Sequence, residues 1–401
     1  MSQQLISVDD HVLEPVDLWT RLLPARFRAR GPVMEQVKGL YEGGTNFRFR
    51  RTEDGRWASV WRYGDYEATI NPGFAAAGFD QDEFGRDWRP LDYDEIRPGC
   101  FTLSDRLADM DAVGIAASLN FPTFPRFCGQ TFLEHGERDV SLACVQAHND
   151  WMIDEWCAGD GYGRMIPLTI IPMWDPALAA EEVRRCASKG SHAIAFSENP
   201  VRLKLPSIHS GHWDPLFAAC SETDTVVNMH IGSSSTFALT SPDAPRAALL
   251  ALTYQGASHA FADWMRSGVL ERFDDLRIAL SEGQVGWMPY LLERLDQVWR
   301  ERPAYADLEG RLTKAPSEYL ADRVFGCIFD DLAGLRLRDQ IGMRQIMFEV
   351  DYPHGDSNWP HSQAVFDRLV ADAGLSDDEQ YLLARDNAIR RYRLDRYGIT
   401  V

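Results

Sequence analysis

Four short clusters of acidic and imidazole side chains, far apart along the chain, each close an apolar run. Asp9-Asp10-His11 follow Gln4-Leu5-Ile6-Ser7-Val8, and His230 follows Thr225-Val226-Val227-Asn228-Met229. Glu282 follows Leu276-Arg277-Ile278-Ala279-Leu280-Ser281, and Asp351 follows Ile346-Met347-Phe348-Glu349-Val350. Imidazole nitrogen and carboxylate oxygen are the donors that a borderline or hard divalent cation takes. If the four runs are neighbouring parallel strands, their ends meet at one point and the chemistry is metal-dependent.

Each candidate also has an ordinary structural alternative. Asp9 and His11 stand two apart on a strand end, so both side chains share one face and can grip one ion, whereas Asp10 points the other way. Glu14, on the exiting loop before Pro15, could reach the same ion. His230 could be a satisfied core histidine, but Gly232 and Ser233-Ser234-Ser235 behind it make the flexible polar loop that a site needs. Asp351 opens a loop through Tyr352-Pro353-His354 towards Asp356 and Trp359. Glu198 after Phe196-Ser197, and Glu282 before Gly283, end strands too. Either carboxylate could serve as a general base or as the partner of a ligand imidazole, or it could cap the next helix.

The elements that must position these residues are legible from periodicity. Short apolar runs at 4–8, 115–121, 164–171, 192–196, 225–229, 276–280, 324–328 and 345–350 read as eight buried parallel strands. Helical spacing is expected at 103–113, 140–157, 176–188, 213–221, 247–267, 332–341 and 362–391, and behind Glu282, where Trp287, Leu291, Leu292, Leu295 and Val298 form a stripe. Gly114 and Lys189-Gly190 are stop signals. Eight strands alternating with helices predict a (β/α)8 barrel in a single domain over 1–401. Two stretches break the pattern, at 24–104 and 300–324. The first is rich in Arg, Gly, Asp and aromatics (Phe47, Phe49, Trp57, Trp61, Tyr63, Tyr66), with a hairpin expected over 57–70 after an Asp54-Gly55 turn. Long connections of this kind are lids or binding loops, or else surface excursions and subunit contacts.

Bulk properties narrow the partners. The chain has 401 residues with 41 basic and 60 acidic side chains, a formal charge of -19. That field repels phosphate backbones, so no nucleic acid is expected. No run of 18 apolar residues and no basic leader occur, so no membrane span and no signal peptide are expected. The seven cysteines are scattered without a CxxC pair, which suits reduced thiols in a cytoplasmic enzyme. A small-molecule substrate and a homo-oligomer are the expected partners.

Several of these segments resemble one family. Ile6 to Pro15, Met229-His230-Ile231-Gly232, Leu280 to Trp287 and Asp351-Tyr352-Pro353-His354 are similar to amidohydrolase-related proteins of the aminocarboxymuconate-semialdehyde decarboxylase group. Arg106 to Ile115 resembles that group's helix before strand two. The resemblance implies a distorted (β/α)8 TIM barrel with one catalytic divalent ion, zinc or else manganese, held by Asp9, His11, His230 and Asp351. It also marks two departures. The group's well-studied decarboxylases carry His-x-His or Glu-x-His on strand one and a catalytic His after strand six, where this chain has Asp-x-His and Glu282.

Hydrolysis is therefore the leading expectation. The metal lowers the pKa of a bound water from about 16 towards about 7, Asp351 takes its proton, and Glu282 or His354 assists. The alternative is non-oxidative decarboxylation of an aromatic or unsaturated acid, with Asp351 protonating the ring carbon. A third reading, an inactive binding barrel, predicts no bound metal. Phe121, Phe124, Phe127, Tyr352 and Trp359 are read as contacts to an apolar or aromatic substrate, or as ordinary packing.

Overall fold

The computed structural model describes residues 4–42, 48–80, 88–241, 243–302 and 312–400. Phe47 and residues 303–311 of the second expected insertion therefore lie outside the described residues. The parallel strands arise where the sequence places unbroken apolar runs, because a strand covered on both faces has no side that needs to be polar. They are β1 (Leu5–Val12), then, after four strands of a separate sheet, β6 (Ile115–Pro122), β7 (Met165–Ile166), β8 (Ala193–Ser197), β9 (Val226–His230), β10 (Ile278–Ser281), β11 (Val324–Ile328) and β12 (Ile346–Phe348). They form two parallel sheets, of order β1-β6-β7 and β8-β9-β10-β11-β12.

Both junctions between these sheets are bridged. A parallel bridge joins Thr169 to Ile194 beside β8. At the other junction the Asp351 N–H donates to the Asp9 carbonyl at 2.9 Å, and the His11 N–H donates to the Tyr352 carbonyl at 2.6 Å. The strands thus follow chain order around a closed cycle, and their C-terminal ends share one face.

Strand one runs through Asp9 and His11 to Val12, with a register irregularity between Ser7 and Asp10. The third strand is far shorter than its apolar run. Arg164 to Ile171 contains two ladder residues and the Thr169 bridge, because Pro167 and Pro172 interrupt pairing. The helices Leu103–Ala112 and Pro176–Ser188 match their expected spans, with Gly114 at φ +75° after the first. The 247–267 helix is two, Arg246–Ala251 and Gln255–Arg266, and 332–341 likewise divides at Leu337. Within Met288–Glu301 only Leu292 of the expected stripe is buried; Leu291, Leu295 and Val298 are half-buried. All seven cysteines are buried free thiols. Among the described residues, no helix is long and apolar enough to cross a membrane.

Residues 24–104 hold a four-stranded antiparallel sheet of β2 (Val33–Glu42), β3 (Arg48–Arg51), β4 (Arg56–Tyr63) and β5 (Tyr66–Thr69), in the order β3-β2-β4-β5. The expected hairpin is β4–β5, turning between Tyr63 and Tyr66. The chain then packs back on the parallel sheets, where the Ala76 N–H meets the Pro353 carbonyl at 2.6 Å and Gly355 N–H meets Gly73 O at 3.1 Å.

Ser7 ties the closing junction together. Its hydroxyl accepts from the Val350 N–H at 2.9 Å and donates to the Asp9 carbonyl at 3.1 Å, fully buried. Ser7→Ala leaves that N–H without a partner, and stability should fall by about 1–3 kcal/mol. Denaturant unfolding should show the loss as a lower midpoint at unchanged slope.

Candidate metal centre

Four strand ends deliver the candidate side chains to one buried point. β1 contributes Asp9 and His11, β9 ends on His230, and the turns after β10 and β12 carry Glu282 and Asp351. Glu282 and Asp351 both adopt left-handed backbone conformations, φ +56° and +59°. A non-glycine residue holds such a conformation only where its surroundings fix it. Here the Glu282 N–H donates to Glu349 Oε2 at 3.1 Å, and the Asp351 N–H is held by Asp9 O.

Ligand-type atoms crowd the centre. His11 Nε2 lies 3.2 Å from His230 Nε2, 3.1 Å from Asp351 Oδ1 and 3.6 Å from Asp9 Oδ1. His230 Nε2 lies 3.5 Å from Asp9 Oδ2 and 3.3 Å from Glu282 Oε2. His230 Nδ1 sits 2.6 Å from the Ile231 carbonyl, which accepts only if that nitrogen carries the proton. Its Nε2 lone pair is therefore free and faces the cluster. Both oxygens of Asp9 and of Asp351 are buried without a hydrogen-bond partner.

Electrostatics explains why that arrangement needs a further charge. Burial, then the charges of Glu349, Asp351 and Glu282, push Asp9 well above the usual carboxylate range. Burial also raises Asp351, aided by Asp356 and Glu349, and raises Glu282, aided by Asp351. Burial raises Glu349 to about 7. The same burial lowers His11, and brings His230 and His354 down to about 3, which keeps the imidazoles neutral. No lysine or arginine among the described residues makes an ion pair with Asp9, Glu282, Glu349 or Asp351. Neutral imidazoles and unpaired carboxylate oxygens aimed at one another are a donor set that could hold a divalent cation, and a bound cation would restore the carboxylates to their charged form. The mixed nitrogen and oxygen donors admit zinc and manganese alike.

The remaining candidates divide. His354 is part of the centre, with Nδ1 3.1 Å from Asp351 Oδ1 and its ring stacked on His11 at 3.5 Å. Phe121 packs against both imidazoles, and Phe127 stacks on His230 at 4.1 Å. Glu14 is not brought to the cluster, because its oxygens accept from the Thr123 and Phe124 N–H groups at 3.0 and 2.9 Å. Glu198 instead fastens the loop after His230, accepting from Gly232 N–H at 3.0 Å and Ser234 Oγ at 2.7 Å. Tyr352 turns away to Asp109, its hydroxyl donating at 2.6 Å, and Trp359 packs edge-on against it. Phe124 lies in the core with Trp19 and Trp61. Asp10 faces away as its alternation requires, holding the Tyr352 N–H at 2.9 Å and the Ser118 hydroxyl.

Glu349 was not assigned a role from the sequence. It is fully buried, groups with Asp9 and Cys327 behind the centre, and pins Glu282. A lone carboxylate inside the otherwise apolar run 346–350 is the signal that marks it.

Above the centre opens a cavity of about 610 Å³ floored by Glu282, Asp351 and His354. Phe74 and Trp88, from the long excursion after β1, form part of its wall. A larger cavity of about 1330 Å³, among Asp224, Arg277 and Arg323, lies at the opposite strand ends and touches none of the candidates.

Two outcomes follow from the geometry. The double variant His11→Ala, His230→Ala should lose its divalent ion, read by elemental analysis against the unaltered protein at about one ion per chain. The second is a pH dependence. Without a cation the folded carboxylates bind protons more tightly than the unfolded chain does, so their contribution to the unfolding free energy falls as pH rises. The lowered imidazoles, neutral with or without the cation, contribute the opposite slope to both forms alike. A cation removes that penalty, so the rise in Tm on adding metal should grow between about pH 5 and about pH 8. A metal-induced shift independent of pH would contradict it.

Comparison with known proteins shows what the chain as a whole is similar to. A gamma-resorcylate decarboxylase from Rhodococcus jostii is 25% identical over 341 residues, spanning 76% of this chain and 92% of that protein. The crystal structure of an amidohydrolase from Mycobacterium avium subsp. paratuberculosis superposes with a TM-score of 0.71 at 23% identity, covering 99% of this chain and 100% of that one. A 5-carboxyvanillate decarboxylase from Novosphingobium aromaticivorans, complexed with manganese and 4-hydroxy-3-methoxy-5-nitrobenzoic acid, gives 0.61 at 19% identity, covering 98% and 96%. These two solved structures share the fold. The amidohydrolase family pattern itself matches residues 26–394, and with nearly the whole chain so matched, this protein belongs to the amidohydrolase family of enzymes.

Proposed function

We propose that this protein is a metal-dependent carboxy-lyase, removing CO2 from an aromatic or unsaturated carboxylic acid without oxidation. The observation that carries the reading is the buried cluster of Asp9, His11, His230 and Asp351 under an open pocket. The decarboxylases among its relatives support the choice of reaction over hydrolysis. The scaffold is one domain, a distorted (β/α)8 TIM barrel with insertions at about 24–104 and 300–324. Its support is the cyclic strand order with both junctions bridged.

Asp9, His11, His230 and Asp351 would hold the divalent ion, which when bound supplies the positive charge that fixes the substrate carboxylate and an adjacent hydroxyl. Asp351, charged beside the ion at the pocket floor, first takes a proton from solvent and then delivers it to the ring carbon that bears the carboxylate. The new C–H bond takes a π electron pair from the ring. The bond to the carboxylate then breaks, its electron pair restores the ring, and CO2 departs. Asp351 is left charged and regains a proton from solvent. His354 Nδ1 lies 3.1 Å from Asp351 Oδ1, beside the proton-carrying group. Phe127, stacked on His230, fixes the imidazole plane and keeps water off it.

Hydrolysis is the second reading, and one observation favours it. The turn after β10 carries a carboxylate, Glu282, 3.3 Å from His230 Nε2. That group can accept a proton from water, and its charge opposes an anionic substrate.

Turnover in D2O separates the two. Decarboxylation releases one CO2 and leaves one deuterium on the carbon that lost it, whereas hydrolysis releases no CO2 and splits the substrate into two products. Asp351→Asn should retain some metal while kcat falls by about 10²–10⁴, the range for a general acid or base. An Asp351→Asn enzyme with metal and nearly full kcat would move the proton transfer to Glu282 or His354.

A further inference from the structure

We infer that the substrate is a monoanion carrying a long apolar arm, which the pocket holds between its acidic floor and its exposed apolar mouth. This rests on the carboxy-lyase reading for the reacting end and adds the remainder of the molecule.

Size is the first argument. A cavity of about 150 Å³ is enough for benzene, and this pocket measures about 610 Å³. One substituted ring leaves most of it empty. Water filling that space would face Phe74, Trp88, Phe127, Phe237, Leu249 and Leu250, which offer it almost no hydrogen bonds. An apolar ligand releases that water at a gain.

Charge fixes the orientation. Glu282, Asp351 and Asp356 gather at the floor, and no lysine or arginine lines the pocket among the described residues. A carboxylate is tolerated only where the cation sits. A second anionic group on the substrate, away from the cation, would lie near Glu282 and Asp356 with no basic side chain among the described lining residues to offset them, which disfavours dicarboxylates.

Exposure locates the arm. Nine large apolar side chains are exposed among the described residues, and three of them line this one pocket: Phe74 at 36%, Phe237 at 46% and Leu250 at 51%. An apolar patch continuous with a catalytic cavity marks a ligand-binding groove. The three come from separate segments, the turn before Gly78, the loop after β9 and the helix Arg246–Ala251. Glu198, through Gly232 and Ser234, anchors the segment that leads to Phe237.

The test is calorimetric binding to the metal-loaded enzyme. The probes are salicylate and salicylates bearing straight alkyl chains of increasing length, attached at either position remote from the carboxylate. Each buried methylene should tighten binding about three- to fourfold until the mouth is passed. Leu250→Ser and Phe237→Ser, at exposed positions outside the hydrophobic core, should flatten this slope. Affinity that is flat or falls with chain length in both series overturns the inference, as does a slope unchanged in both variants. If affinity rises while no acid releases CO2, the arm stands and the reaction assignment falls. If CO2 is released from salicylates while affinity stays flat, the reaction stands and the arm falls.

Discussion

Uncompensated negative charge in a buried pit governs this protein. Asp9, Glu282, Glu349 and Asp351 converge with neutral imidazoles where no basic side chain among the described residues pairs with them. Desolvating one ionised carboxylate costs several kcal/mol unless a partner repays it. Four within one strand-end cluster are tolerable only if they are protonated or if they share a cation. Protonation would be an unproductive compromise, since it leaves acceptor oxygens without donors and blocks coordination. A divalent ion resolves the conflict for the oxygens and the imidazole lone pairs together.

The fold exists to hold that conflict in place. The junction between β1 and the end of β12 is the critical seam, because Asp9 and Asp351 meet there through their backbones while their side chains face the centre. Ser7 satisfies the polar groups the seam would otherwise leave open. Left-handed turns at Glu282 and Asp351 aim carboxylates that regular strands would send elsewhere. The pocket above then follows from elements that have little to do with one another in sequence.

Much of this was legible in the chain before its fold was known. Apolar runs that stop on Asp, His or Glu located five of the six side chains that converge at the strand ends, because a strand end is a local feature, and His354 followed from the loop after Asp351. Alternation correctly turned Asp10 away from Asp9 and His11. What the sequence hid was tertiary. Glu14 stands where it could reach the ion, but two backbone N–H groups from the loop after β6 capture it. Tyr352 and Trp359 lie beside Asp351 in the chain and still turn to Asp109. Glu349 was unreadable as a site residue because its partner, the Glu282 N–H, comes from a strand 67 residues away. The excursion after β1 showed a hairpin but not a four-stranded sheet, since β2 pairs with two strands and its mixed burial breaks the period-two signal.

Anomalous diffraction from crystals of the metal-loaded protein, recorded at the edge of the metal supplied, tests the central claim most directly. The account predicts one ion in each chain, about 2.0–2.2 Å from His11 Nε2, His230 Nε2 and an oxygen of Asp9 and of Asp351. An ion seated instead between Asp9, Cys327 and Glu349, or a fully loaded protein with no anomalous peak at the four strand ends, would contradict it.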